Sequence, residues 1–130
     1  MEKPIHILAV DDEESFTFFI KLNLQADIRY DFKVTTANSG EEGLKLARTI
    51  RPDLILLDIM MPGMSGAEVA EKLLMDARTK NIPIIFLTAV VQKDELEEEA
   101  GLMGGREFIA KPVGKEELIS RIEATLNLQR

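Results

Sequence analysis

The chain reads as an α/β domain: a parallel sheet with helices on both faces. Three observations predict this. Short apolar runs alternate with amphipathic stretches five times over. Two of the runs, residues 54–57 and 82–87, are continuous or nearly so, as strands covered on both faces should be. Residues that carry chemistry follow four of the five runs and do not lie inside them.

The elements can be justified in order. The first run, Ile5–Val10, breaks off in Asp11-Asp12-Glu13-Glu14, after which Phe16, Phe19, Ile20 and Leu24 recur at helical spacing. Residues 32–36 are rich in β-formers. Ser39-Gly40-Glu41-Glu42 has the Ser-x-x-Glu form of a capping box, and Leu44, Ala47 and Ile50 give the helix after it a buried stripe that ends at Arg51-Pro52. The third run, 54–57, ends at Asp58, and Pro62-Gly63 marks a turn. Ser65-Gly66-Ala67-Glu68 repeats the capping form before a helix lined by Val69, Leu73 and Leu74. The fourth run, 82–87, ends at Thr88, and residues 94–103 form a weaker, very acidic helix. A short fifth strand, Glu107–Ala110, closes at Lys111-Pro112, and Leu118, Ile122 and Leu126 carry the last helix.

With 130 residues the expectation is one domain, residues 1–130, large enough to bury a core without staples. There is no cysteine, which excludes disulfides and thiolate metal sites. The opening Met1-Glu2-Lys3-Pro4 is not a signal peptide, and no apolar stretch nears the roughly 20 residues of a membrane span. The expectation is a cytoplasmic protein with no membrane contact. A net charge of −7 argues against direct nucleic-acid binding, which needs Lys and Arg to neutralise phosphates.

In a doubly wound sheet, ligands bind beyond the carboxyl ends of the strands. Asp11 and Asp12 follow the first strand, Asp58 the third, Thr88 the fourth and Lys111 the fifth; the second contributes nothing comparable, as an edge strand would. Three converging carboxylates repel one another unless a cation joins them, and oxygen donors completed by water favour Mg2+. Lys111 and the metal would bind a dianionic group carried by one carboxylate, with Thr88 bonding one of its oxygens. The chemistry suggested is phosphoryl transfer to an aspartate. The single histidine, His6, lies inside the first strand and is read as a sheet residue.

These residues, with Leu56-Leu57-Asp58-Ile59-Met60-Met61-Pro62-Gly63-Met64-Ser65-Gly66, Thr88-Ala89 and Phe108-Ile109-Ala110-Lys111-Pro112, carry a resemblance over essentially the whole chain. The sequence resembles the receiver domains of two-component response regulators, the superfamily of the chemotaxis regulators. The resemblance implies a (βα)5 flavodoxin-like three-layer sandwich with strand order 2-1-3-4-5. It implies Asp58 as the phosphoacceptor, and Mg2+ on Asp12, Asp58 and the Met60 backbone carbonyl, with Asp11 acting through a bound water. Lys111 would pair with the carboxylate and then the phosphoryl group, Thr88 and Phe108 would be the switch pair, and the Lys111-Pro112 bond would be cis. The implied partners are a histidine kinase or histidine phosphotransfer protein and a downstream target or output domain; dimerisation on phosphorylation stays open. Such a protein is a switch, not an enzyme that turns over a substrate.

Three departures from the family pattern stand out. Phe108 replaces a frequent tyrosine and has no hydroxyl for a partner. The stretch from Thr88 to Lys111 is about one residue longer than usual, and it holds Gly101, Gly104 and Gly105, which weaken a helix. Met60 and Val90 stand where some relatives orient an attacking water with polar groups, which predicts slow loss of the phosphoryl group. Two rivals are weaker. A flavin-type cofactor binder needs a Ser/Thr/Gly-rich loop after the first strand, where this chain has four acids. An aspartate-nucleophile phosphatase needs a second aspartate two residues after the first, where this chain has Glu13. The remaining alternative is a receiver-like docking module that works without phosphate.

Overall fold

The structure, a computed structural model, describes residues 3–89 and 107–128. In chain order its elements are β1 (Ile5–Val10), α1 (Glu14–Gln25), β2 (Phe32–Ala37), α2 (Gly40–Ile50), β3 (Leu54–Asp58), α3 (Gly66–Leu74), β4 (Ile84–Thr88), β5 (Glu107–Ala110) and α4 (Lys115–Leu126). The strands form one parallel sheet in the order β2-β1-β3-β4-β5. The acidic helix expected over residues 94–103, and Val90, lie outside the described residues.

Alternation along the strands builds two cores. Ile7 and Ala9 of β1, Leu54 and Leu56 of β3, and Ile85 and Leu87 of β4 pack with Ile20 and Leu24 of α1 and with Leu118, Ile119 and Ile122 of α4. Leu8, Val10, Ile55, Leu57, Ile84 and Phe86 point the other way, onto Leu44 and Ala47 of α2 and Val69, Ala70 and Leu73 of α3. Every residue of β3 and β4 is buried, which is why both read as unbroken apolar runs. The loop after α1 is tied to α4 by Tyr30, whose hydroxyl donates to Glu123, and by Arg29, which donates to Glu116.

Three local expectations change. Leu74 does not line α3; it is half exposed, because Val69, Ala70 and Leu73 already fill the buried stripe and the next residue turns to solvent. β4 starts at Ile84, not Ile82: Pro83 has no N–H for the ladder, although its carbonyl accepts from Ile55 N–H at 3.0 Å. At α2, Ser39 caps as expected, its hydroxyl accepting from Glu42 N–H at 3.1 Å, but the Glu42 carboxylate accepts from Asn38 N–H and not from Ser39. Of the two expected boxes, the one at α3, between Ser65 and Glu68, is reciprocal.

Candidate functional site

Strand register brings the acids together. Ala9 pairs with Leu56 and Val10 with Leu57, so Asp11 and Asp58, each two residues beyond the Ala9–Leu56 pair, share one face at the carboxyl edge. Asp11, Asp12 and Asp58 each present a carboxylate oxygen within 4.8 Å of the others. Asp11 and Asp58 are buried, whereas Asp12 is exposed. Thr88 ends β4 and is fully buried. Lys111 follows β5, and its N–H donates to the Thr88 carbonyl at 2.8 Å. The Lys111-Pro112 bond is cis, as the resemblance implied.

The Lys111 ammonium lies 2.7 Å from Asp11 Oδ2, 3.1 Å from Glu13 Oε1 and 3.7 Å from Asp58 Oδ1. The Asp11 contact has the distance of a hydrogen bond but not its alignment, so Oδ2 stays buried with no aligned donor. The other oxygen, Asp11 Oδ1, accepts from Glu13 N–H at 2.9 Å. Asn38 Nδ2 donates to the Asp11 carbonyl at 2.8 Å and thereby fixes the β1 terminus. Under Asp58 the chain is equally constrained. Gly66 N–H donates to the Ile59 carbonyl at 2.9 Å, and a Cβ on Gly66 would stand 2.2 Å from the Asp58 carbonyl oxygen, so only glycine fits there.

The electrostatics follow from burial and crowding. Burial, then the neighbouring Asp11 charge, pushes the Asp58 carboxyl up to about 7, against the pull of Lys111. Burial also raises Asp11, despite Lys111 beside it. For Lys111 burial works downward, but Asp11, Asp58 and Glu13 outweigh it and the ammonium is held above its ordinary range. One ammonium therefore faces three carboxylates, and Asp12 adds a fourth beside Asp11 and Asp58. An all-oxygen donor set, a buried carboxylate oxygen without an aligned donor, and a carboxyl pushed toward neutrality by crowding together fit a hard divalent cation. Phe108, half-buried, stacks on Phe86 with ring centroids 5.5 Å apart, on the side of the sheet away from Asp58.

Residues 7–123 match the response regulator receiver domain family. The chain belongs to that family. Receiver domains are the phosphorelay modules of two-component signalling, and this chain is one of them. It is 40% identical over 121 residues to the transcriptional regulatory protein AfsQ1 of Streptomyces coelicolor, an alignment covering 92% of the chain and 50% of that protein. It is 34% identical to the protein PilH of Pseudomonas aeruginosa, covering 92% of the chain and 96% of PilH. Thus it spans about half the length of some relatives, such as AfsQ1, and nearly all of others. Among solved structures, the chemotaxis protein CheY4 of Vibrio cholerae superposes with a TM-score of 0.82 at 30% identity, covering 94% of the chain and 98% of CheY4.

Within this receiver the expected residues Asp11, Asp12, Asp58, Thr88 and Lys111 all reach one edge of the sheet. Three residues around them had no assigned role. Glu13 grips Lys111, although it stood in the acidic run with only a chain position to its name. Phe16, counted with the apolar stripe of the first helix, lies under the Lys111 ammonium, its ring centroid 4.7 Å from Nζ. Asn38 follows the edge strand that had been credited with nothing, yet it holds the Asp11 backbone. Met60, two residues past Asp58, is exposed.

Proposed function

We propose that residues 1–130 form one receiver domain in which Asp58 accepts a phosphoryl group from a phosphohistidine on a histidine kinase or histidine phosphotransfer protein. The observation that carries this reading is the placement of Asp58, buried at the carboxyl edge between Asp11, Asp12 and the Lys111 ammonium. Mg2+ would be held by Asp12, Asp58 and the Met60 backbone carbonyl, with Asp11 acting through water. When bound, it supplies charge neutralisation for the carboxylates and the incoming phosphoryl oxygens.

The chain's own residues do the rest. An Asp58 carboxylate oxygen forms the new bond to phosphorus as the bond from phosphorus to the donor nitrogen breaks, and the histidine keeps the electron pair. Lys111 moves from Asp11 and Glu13 toward the phosphoryl oxygens and offsets their charge. Thr88 then donates its hydroxyl to a phosphoryl oxygen, and Phe108 shifts from its stack on Phe86 to follow it. The outcome is a shift between two surface states, so the protein acts as a switch and not through substrate turnover. Readout belongs to a downstream target or an output domain, and dimerisation is one form it can take. We place the protein in the cytoplasm; no helix among the described residues is long and apolar enough to cross a membrane.

The test is intact mass after incubation with Mg2+ and a small-molecule phosphodonor, for wild type and Asp58→Asn. Gain of one phosphoryl group by the wild type alone, abolished by chelation, is the expected result. No gain in either protein would replace this reading with that of a phosphate-independent docking module.

A further inference from the structure

The Lys111 side chain has a fixed root and a contested head. Its N–H is bonded to Thr88, and its ammonium sits among Asp11, Glu13 and Asp58. Attraction to carboxylates has little directional content. On charge alone the ammonium would settle against the nearest of them, and in this structure that is Asp11, a full ångström closer than Asp58. A contact that confines the head to the mouth of the site without adding charge would keep it available to the acceptor.

Phe16 is placed to do so. It lies in the first turns of α1, half-buried against the core below α1 and α4, with its ring 6.1 Å from that of Phe19 in a stacked arrangement. Its ring lies against the Lys111 ammonium, Nζ being 4.7 Å from the centroid. The lysine side chain is only 11% exposed, so this contact operates partly away from water, where attraction to the face of a ring is stronger. A ring also differs from a further acid in a way that matters here. It attracts a cation through its quadrupole without adding net negative charge to a site that already crowds four carboxylates, and it cannot bind a metal or take up a proton.

We propose that Phe16 is a positioning residue for phosphoryl transfer: its ring, together with Asp11 and Glu13, seats the Lys111 ammonium at the mouth of the acidic site, within reach of Asp58. The inference rests on the reading of Asp58 as acceptor. An alkyl side chain of similar bulk fills the same space but offers no seat.

The experiment compares wild type, Phe16→Leu and Phe16→Tyr. Protons above a ring face resonate upfield, so the ε-methylene protons of Lys111, assigned by loss of their signal in Lys111→Met, should be shifted upfield in wild type and in Phe16→Tyr but not in Phe16→Leu. Phosphorylation by a small-molecule donor at saturating Mg2+ is then followed by intact mass over a range of donor concentrations. The maximal rate should fall roughly three- to tenfold in Phe16→Leu and return in Phe16→Tyr. Urea midpoints identify a variant that is merely unstable, and the rescue by tyrosine separates the ring face from bulk. Unshifted ε-protons in the wild type, a Phe16→Leu protein that reacts at the wild-type rate, or a tyrosine variant as slow as the leucine variant would each overturn the proposal. If the wild type takes up no phosphoryl group, the acceptor reading falls and takes this one with it. If the wild type is modified and Phe16→Leu matches it, this one falls alone.

Discussion

The α-carbon of Gly66 is pressed so close to the Asp58 backbone that a Cβ on it would stand 2.2 Å from the Asp58 carbonyl oxygen and 2.9 Å from Ile59 Cα. Both obstacles are main chain, which cannot rotate aside as a side chain would. Gly66→Ala is therefore expected to lower stability by about 1–3 kcal/mol, the usual range for overpacking, and to slow phosphorylation by displacing Asp58. Urea denaturation and phosphoryl uptake by intact mass check both effects. A variant with wild-type stability and wild-type uptake would show that the α3 terminus yields freely.

The second prediction concerns pH in the absence of metal. The Asp58 carboxyl stands at about 7 in the fold against an ordinary 3.8, so the folded state holds its proton more tightly than the unfolded chain does. Stability from that proton is fully present below about pH 4, declines as pH rises toward 7, and is gone above it. The span corresponds to a loss on the order of 4 kcal/mol. Asp11, also raised by burial, acts with the same sign. The measurement is the difference in urea midpoint between wild type and Asp58→Asn, in chelator, from pH 4 to 7.5. Asn cannot ionise, so it should gain on the wild type as pH rises, and Mg2+ at the upper end should restore the wild type only. A difference that stays flat across this range would contradict the shift.

A third prediction follows from Met60. Its side chain is exposed, two residues past the proposed acceptor, and is apolar where an amide or carboxylate would orient water for attack on phosphorus. Once formed, the Asp58 phosphoryl group should decay slowly in the isolated protein. Met60→Asn keeps the backbone carbonyl and adds a polar end, and it is expected to speed decay several-fold. Time courses of intact mass after removal of the donor decide this. Rapid loss from the wild type would rule the idea out.

The parts of the site that were legible in the sequence are those fixed by strand periodicity. Asp11, Asp58, Thr88 and Lys111 each end an apolar run, and a parallel sheet sends all such ends to one edge. What escaped notice depends on side-chain reach. Phe16 looked fully explained by its place in an apolar helical stripe, and nothing in one-dimensional spacing says that the lysine after β5 arrives over its ring. Asn38 escaped because β2 is an edge strand, yet β1 and β2 end level with each other, with Val10 opposite Ala37. Leu74 misled because two adjacent leucines at a helix end cannot be ranked for burial until the packing partner is known. Glu42 misled because its carboxylate takes the N–H of Asn38, at 2.8 Å, and not that of Ser39.

The alternation that separates the two cores gives the sheet a further property. Asp11 and Asp58 continue the rows of Ile7, Ala9, Leu54 and Leu56, whereas Phe108 rests on Phe86 in the opposite layer. The sheet is thus a partition, with the proposed chemistry in one room and the proposed switch ring in the other. Mid-sheet the partition has no door, since β3 up to Leu57 and β4 up to Leu87 are apolar and buried. The way round is the rim, where Thr88 continues the row of Ile84 and Phe86 while standing one residue past Leu87, the partner of Asp58. Substitutions deep in β3 or β4 should therefore change how firmly the protein folds, while substitutions at the rim should change what it reports.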